Sequence, residues 1–290
     1  MSDQLPEAAH QENVEGAVSR LEGEQFKPSR IRVHHLRKMM KAHEPITMIT
    51  AYDAVIARLV DNAGVEMILV GDSIGNTLLG YSSTVPVTME IMETATAAVM
   101  RGTNRAFIVA DLPFGSYEES PQQAVHNALR LVRAGADAVK LEGGAHFAPT
   151  VEAITNAGIN VVAHIGYTPQ SDAALGGPRV QGRNERDEDR LAQDALALEK
   201  AGAVAIVLEL VPAAVAQRIT EISHIPTIGI GAGPHTNGQV LVWTDMAGMS
   251  DWVPRFVRRF GEVGKALTDA TSAYRDAVRN REFPSQEHSF

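Results

Sequence analysis

The sequence predicts an α/β barrel, eight parallel strands each followed by a helix, and three observations carry that expectation. Short β-branched runs alternate with longer helical stretches along most of the chain, a grammar that favours parallel pairing through right-handed crossovers. Four of those runs close on an acid: ILVGD at Asp72, FIVAD at Asp111, AVKLE at Glu142 and AIVLE at Glu209. The size, 290 residues with 44% hydrophobic and 21% charged, suits one barrel of about 250 residues with extensions. An open doubly wound sheet has the same local grammar. GIGAG (229–233) follows a strand, yet it lacks the spacing and the downstream ribose acid of a dinucleotide fingerprint. A count of eight favours closure.

The elements follow in order. Residues 1–28 carry six acids and two bases without a charged-then-apolar signal pattern, and are expected to be a solvated, disordered acidic extension. Residues 29–290 form the barrel domain with C-terminal helices. His34 and His35 are adjacent, and adjacent residues on a helix face apart, so they belong to an N-terminal cap helix rather than a metal pair. TMITA (47–51) is the first strand, a helix runs from Asp53 to Ala63, and Gly64 stops it before EMILVG (66–71). After Asp111, Ser120 is a suitable N-cap, Pro121 suits the first helical turn, and Gly135 ends an AVHNALRLVRAG helix. AVKLE follows at once. INVVAH (159–164), AVAIVLE (203–209) and PTIGIG (226–231) continue the series, with a helix begun at Pro212. The last strand falls within QVLVWTDM (239–246). PRFVRRF (254–260) reads as a solvated or interfacial helix face.

Composition narrows the function. A formal net charge of −9 opposes nucleic acid or an anionic membrane as partner, since both need a basic face. Zero cysteines exclude disulfides, thiolate zinc sites and cysteine nucleophiles, and suit a reducing cytoplasm. No run of about 18 apolar residues occurs.

The carboxyl ends of parallel strands open on one face, so the four acids converge on one pocket. A lone strand-end acid is often a helix cap; four at corresponding ends carry more weight. Lys140 and Glu142 are i and i+2 on one strand and share a side, which inside a barrel is the pocket. Such a lysine needs a carboxylate or substrate charge beside it to keep its proton. Asp72, Asp111 and Glu142 offer hard oxygens, which suit magnesium or manganese better than zinc. An ion held on few carboxylates leaves positions for a bidentate ligand such as an α-keto acid. Glu209 then stands free to act as general base, although spacing alone does not divide the roles. His164 ends its own strand and reaches the same pocket as a hydrogen-bonding group. Gly143, Gly144, Gly176, Gly177 and the glycines of GIGAG serve tight turns and close backbone approach.

The strings ITAYD (49–53), VGDS (70–73), ADLPFGSY (110–117), KLEGG (140–144), AHIGYTPQS (163–171), VQGR (180–183), LELVP (208–212) and GIGAG, with the terminal FPSQEHSF (283–290), closely resemble the ketopantoate hydroxymethyltransferase family. The resemblance is collinear from about residue 30 to the end. It implies a (β/α)8 TIM barrel of the phosphoenolpyruvate/pyruvate enzyme type that transfers a one-carbon unit from 5,10-methylenetetrahydrofolate to α-ketoisovalerate. The product, ketopantoate, feeds pantothenate and coenzyme A synthesis. By motif, the resemblance implies Mg2+ (with Mn2+ or Co2+ as substitutes) on Asp72 and Asp111, with Glu142 as the third acid of the metal site. It implies keto-acid contacts at Asp72, Ser73, Asp111 and Lys140 and the base at Glu209; His164 is counted with the substrate contacts by its strand position alone. It also implies a cytoplasmic homo-oligomer, a decamer in many members.

One departure stands out: where the family commonly has SVN after TPQ, this chain has Ser171, Asp172 and Ala173. Two other readings exist. A carbon–carbon lyase of the same barrel type would share the enolate chemistry, but such lyases rely on a cysteine-bearing loop and this chain has no cysteine. A non-catalytic barrel would not need Asp72, Asp111, Lys140, Glu142 and Glu209 all in place.

Overall fold

A computed structural model describes residues 29–290; the acidic extension expected over 1–28 lies outside the described residues. Eight strands form one closed parallel barrel in sequence order. They are β1 (Ile46–Thr50), β2 (Met67–Val70), β3 (Phe107–Asp111), β4 (Ala138–Glu142), β5 (Asn160–Gly166), β6 (Ala205–Glu209), β7 (Thr227–Ile230) and β8 (Gly238–Leu241). β8 returns to β1, with Ile46 opposite Gly238 and Ile49 opposite Leu241. Closure leaves no free sheet edge, and the open sheet is excluded.

The local signals act as expected. Asp53 caps the helix Ala54–Asn62 by accepting from the amides of Val55 and Ile56. Ser120 accepts from the amide of Gln123, Pro121 opens the helix, and Gly135 ends it at φ 115°. The last strand is shorter than its apolar run. At Trp243 the backbone N–H turns to Thr50 Oγ1, 3.0 Å away, and the chain enters the short helix Trp243–Met246.

Alternation along the strands builds two cores. Met67, Leu69, Phe107, Val109, Ala138, Val162 and Val207 fill the barrel, while Ile68, Ile108, Ala110, Val139, Leu141 and Leu208 face the helices. Burying each such Val, Leu or Ile contributes about 1.5–3 kcal/mol. The same parity turns Asp111, Lys140, Glu142, His164 and Glu209 inward, because each lies two or four residues beyond an interior apolar side chain.

The amino end of the barrel is sealed. The helix Val33–Lys41 buries Leu36 against Ile31 and Ile46, which matches the expected cap helix. His34 and His35 do not stand apart, however. Their ring centroids are 3.8 Å from each other, because His35 Nδ1 folds back to accept from the Arg32 amide at the helix start. Only the carboxyl end stays open.

The segment read as a PRFVRRF helix is irregular. Residues 248–260 form a compact loop over the open end, and the C-terminal helix begins only at Val263. Pro254 starts a turn, with the Val257 amide bonding its carbonyl at 2.9 Å. Arg259 donates to the carbonyls of Ser250 and Asp251 at 2.6 and 3.2 Å. Those contacts replace a helical ladder.

Candidate active site

Strand register sets the charged groups in steps around the mouth. Asp111 pairs with Lys140 across β3 and β4, Glu142 with His164 across β4 and β5, and Gly166 with Glu209 across β5 and β6. Asp72 lies just past β2. Gly71 lets it come close: a Cβ there would sit 2.7 Å from Ser73 Oγ and 3.6 Å from Asp111 Oδ2. The Asp72 amide donates to Asp111 Oδ2 at 3.0 Å, so the two acids share one corner. Tyr52 and Ser73 exchange a hydroxyl hydrogen bond of 2.8 Å beside them.

Lys140 sits at the centre of the cluster. Its Nζ is 3.2 Å from Asp111 Oδ1, 3.4 Å from Glu142 Oε1 and 3.3 Å from His164 Nδ1. Burial opposes the ammonium, but the surrounding carboxylates outweigh it and hold the lysine pKa above its ordinary value. Glu142 is buried too, yet Lys140 and His164 pull its carboxyl down to about 2. Burial and the neighbouring Asp111 and Glu142 push Asp72 well up, and burial also raises Asp111 despite Lys140. Several carboxylates share one lysine, which leaves a surplus of acid.

His164 joins this cluster to Glu209. Nδ1 is 3.2 Å from Glu142 Oε1, and Nε2 is 3.3 Å from Glu209 Oε2, within ionic reach but off the line of a hydrogen bond. Burial and Lys140 disfavour the imidazolium; the two carboxylates outweigh them and bring its pKa up to about 9. Glu209 differs from the other acids in access. Its side chain is 16% exposed, against 2% for Glu142 and 3% for Asp111. Its backbone is fixed on both sides, since the Tyr167 amide bonds the Glu209 carbonyl at 2.8 Å and the next residue, Leu210, takes φ 48°. A left-handed non-glycine residue is a strained conformation that persists only where its surroundings hold it.

Asp72, Ser73, Asp111, Lys140, Glu142, His164 and Glu209 all line one cavity of about 530 Å³. Sequence reasoning missed the neutral residues that organise them. Gln170 is buried and donates from Nε2 to Asp72 Oδ2 at 2.8 Å and to the Leu112 carbonyl at 2.9 Å. Its amide donates to Glu142 Oε2 at 3.0 Å, and its Oε1 accepts from Tyr117 at 2.5 Å. Both residues stand in motifs that resemble the family, TPQS and GSY, but neither carries charge. The divergent loop is ordered around its unusual residue: Asp172 opens a short helix and accepts from Tyr167 Oη at 2.6 Å. Gly143, Gly176, Gly177, Gly231 and Gly233 have positive φ, as turn glycines do.

The donor set suits a hard divalent cation. Asp111 Oδ1 has the Lys140 ammonium 3.2 Å away, and the carboxylate oxygens of Asp72 and Asp111, which share one corner, are hard donors of the kind such a cation takes. Among the described residues, no group of three or more His, Cys, Asp or Glu side chains stands in a ligating arrangement. Asp72, Asp111 and Glu142, expected together as metal ligands, are therefore unequal. Glu142 turns toward Lys140, His164 and Gln170, and leaves Asp72 and Asp111 as the adjacent pair.

Comparison with known proteins bears on the fold and the family. Solved structures of similar fold include a phosphonopyruvate hydrolase in complex with oxalate and magnesium, at TM-score 0.59 and 14% identity over 89% of this chain and 93% of that one. Another is 2,3-dimethylmalate lyase, a PEP mutase/isocitrate lyase superfamily member, at TM-score 0.56 and 15% identity over 89% of this chain and 91% of that one. Proteins named 3-methyl-2-oxobutanoate hydroxymethyltransferase are far more similar. That of Moorella thermoacetica is 54% identical over 90% of this chain and 98% of its own length. That of Saccharopolyspora erythraea is 52% identical over 90% and 89%. A family model described as ketopantoate hydroxymethyltransferase matches residues 30–286. The chain belongs to the ketopantoate hydroxymethyltransferase family.

Proposed function

We propose that this enzyme transfers a hydroxymethyl group to 3-methyl-2-oxobutanoate, with 5,10-methylenetetrahydrofolate as the one-carbon donor and ketopantoate as the product. Family membership supports the reaction. The observation that carries its mechanism is the division of the mouth into a sealed cluster and one accessible carboxylate, Glu209.

The cluster binds and orients. Lys140, kept charged by its neighbours, attracts the carboxylate of the keto acid, and Ser73 offers it a hydroxyl. Asp72 and Asp111 would hold Mg2+, with Mn2+ or Co2+ as substitutes and Glu142 as the third acid of the set. When bound, that cation supplies Lewis-acid polarisation of the keto oxygen and so acidifies C3. Glu209 takes the C3 proton. His164 holds Glu209 and Glu142 in place through its two ring nitrogens. The electron pair left at C3 forms the bond to the one-carbon unit, water supplies the hydroxyl oxygen, and tetrahydrofolate leaves.

Glu209→Gln tests the base. Deuterium exchange at C3 should fall by about 10²–10⁴-fold while calorimetry still detects keto-acid binding. Unchanged exchange would defeat the assignment. The whole reaction is tested by metal-dependent ketopantoate formation, with a 2-methylisocitrate-type acid as control; turnover of the control alone would transfer the chain to the lyases.

The same reading includes a cytoplasmic homo-oligomer, a decamer as in the family. Helix Val263–Arg279 supports assembly, for it buries no side chain and exposes Leu267, Tyr274 and Val278.

A further inference from the structure

The loop over the open end has a composition unlike the rest of the chain. Between Gly248 and Phe260 it holds three arginines, one aspartate, a tryptophan and two phenylalanines, in a protein of net charge −9. It is tied at its base, where the Phe260 amide bonds the Met246 carbonyl and the Val263 amide bonds the Ala247 carbonyl, both at 2.8 Å. Closely spaced ends and internal side-chain contacts make this an Ω-loop. Trp252, Pro254, Arg255, Phe256 and Val257 line the same cavity as the acid cluster.

The loop stands on the Glu209 side. The Phe256 ring packs at Gly231, where a Cβ would lie 3.1 Å from it and 3.0 Å from Leu210 Cδ2; Leu210 follows Glu209 directly. Trp252 is 76% exposed. Arg255 is exposed and forms no ion pair among the described residues. Arg258 lies over the Phe260 ring at 5.1 Å. An exposed indole and a free guanidinium beside one cavity suit a flat aromatic ligand that ends in carboxylates.

The cavity also exceeds what a five-carbon acid fills: about 530 Å³ lies in the range of about 300–1,000 Å³ typical of pockets for larger ligands. Its inner end is closed by Leu69, Val207 and Val240. The carbon deprotonated by Glu209 must therefore meet its partner from the mouth, beside the loop.

Resting on the folate reading above, we infer that the loop 248–260 is the folate subsite, with Trp252 and Phe256 against the pterin and benzoyl rings and Arg255 on the glutamate carboxylates. The full-length enzyme with keto acid and Mg2+ is titrated with tetrahydrofolate and with tetrahydropteroate, which lacks the glutamate. The chain has two tryptophans, Trp243 buried and Trp252 exposed, so the part of the emission that Trp252→Phe removes reports on the loop. Tetrahydrofolate should quench the wild-type enzyme, and Trp252→Phe should lose most of that quench. Arg255→Gln should raise the Kd for tetrahydrofolate by about 10-fold, the scale of one charge-assisted hydrogen-bonded contact. Its Kd for tetrahydropteroate and for the keto acid should stay at the wild-type value, and Arg255→Lys should recover part of the loss. Equal tetrahydrofolate binding by wild type, Trp252→Phe and Arg255→Gln would overturn the subsite and leave the folate reading standing. Binding of neither probe to the wild type would overturn both.

Discussion

The two sides of the barrel mouth are built on opposite plans. From β2 to β5, Asp72, Asp111, Lys140, Glu142, His164 and Gln170 are all buried and hold one another through short polar contacts. From β6 to β8, Glu209 keeps some exposure and the surrounding wall is a loop of arginines and aromatic residues with little packed around it. The first side fixes charges before any ligand arrives, which is what electrostatic stabilisation of a developing negative charge requires. The second leaves surface open for something large to lie against. The two plans meet at Glu209, which stands on the open side while His164 ties it to the buried cluster.

Three substitutions press on that contrast. Lys140→Ala strikes the sealed side hardest, since it leaves Asp111 and Glu142 buried without their shared cation. Loss of one partner from a buried ion pair costs about 3–5 kcal/mol, so urea unfolding should show destabilisation of that order together with loss of keto-acid binding. An unfolding midpoint equal to that of the wild type would mean the cluster is not sealed. Gln170→Ala comes next. It strips a donor from Asp72 and the partner of Tyr117 Oη, at about 1–3 kcal/mol for buried groups left unsatisfied. Calorimetric titration with Mn2+ should show about 10- to 100-fold weaker binding, as for other residues that orient a ligand; full affinity would make Gln170 a packing residue only. Arg259→Ala, on the open side, should cost under about 1 kcal/mol, the scale of surface contacts. It should still speed proteolysis within 248–260, because the Ser250 and Asp251 carbonyls lose their tie. A large drop in stability there would erase the distinction between the two sides.

The sealed side was legible in the sequence for a physical reason. A parallel strand buried on both faces is nearly all apolar, so Asp111, Lys140 and Glu142 interrupt it visibly, and two-residue periodicity says which way they point. Glu209 and His164 followed from the same rule. Gln170 and Tyr117 did not, because an uncharged side chain in a loop gives no sign that it will be buried among carboxylates. The unequal standing of Glu142 also escaped, since its partners come from three separate segments: β4, β5 and the turn at Gln170. The 254–260 segment was misread outright. Its apolar spacing imitates a helix, while the tie from Arg259 to two carbonyls and the seat of Phe256 on Gly231 depend on distant chain that periodicity cannot see.

The base of that loop has one more implication. Its two ends are joined to each other by the Phe260 and Val263 amides on the carbonyls of Met246 and Ala247, and between them the Phe256 seat at Gly231 holds it to the barrel. Closing a longer segment across the same base adds only about 0.6 kcal/mol for each doubling of length. The loop can therefore change in length or sequence between its tied ends, provided the seat at Gly231 is kept, while the strands beneath it are left untouched.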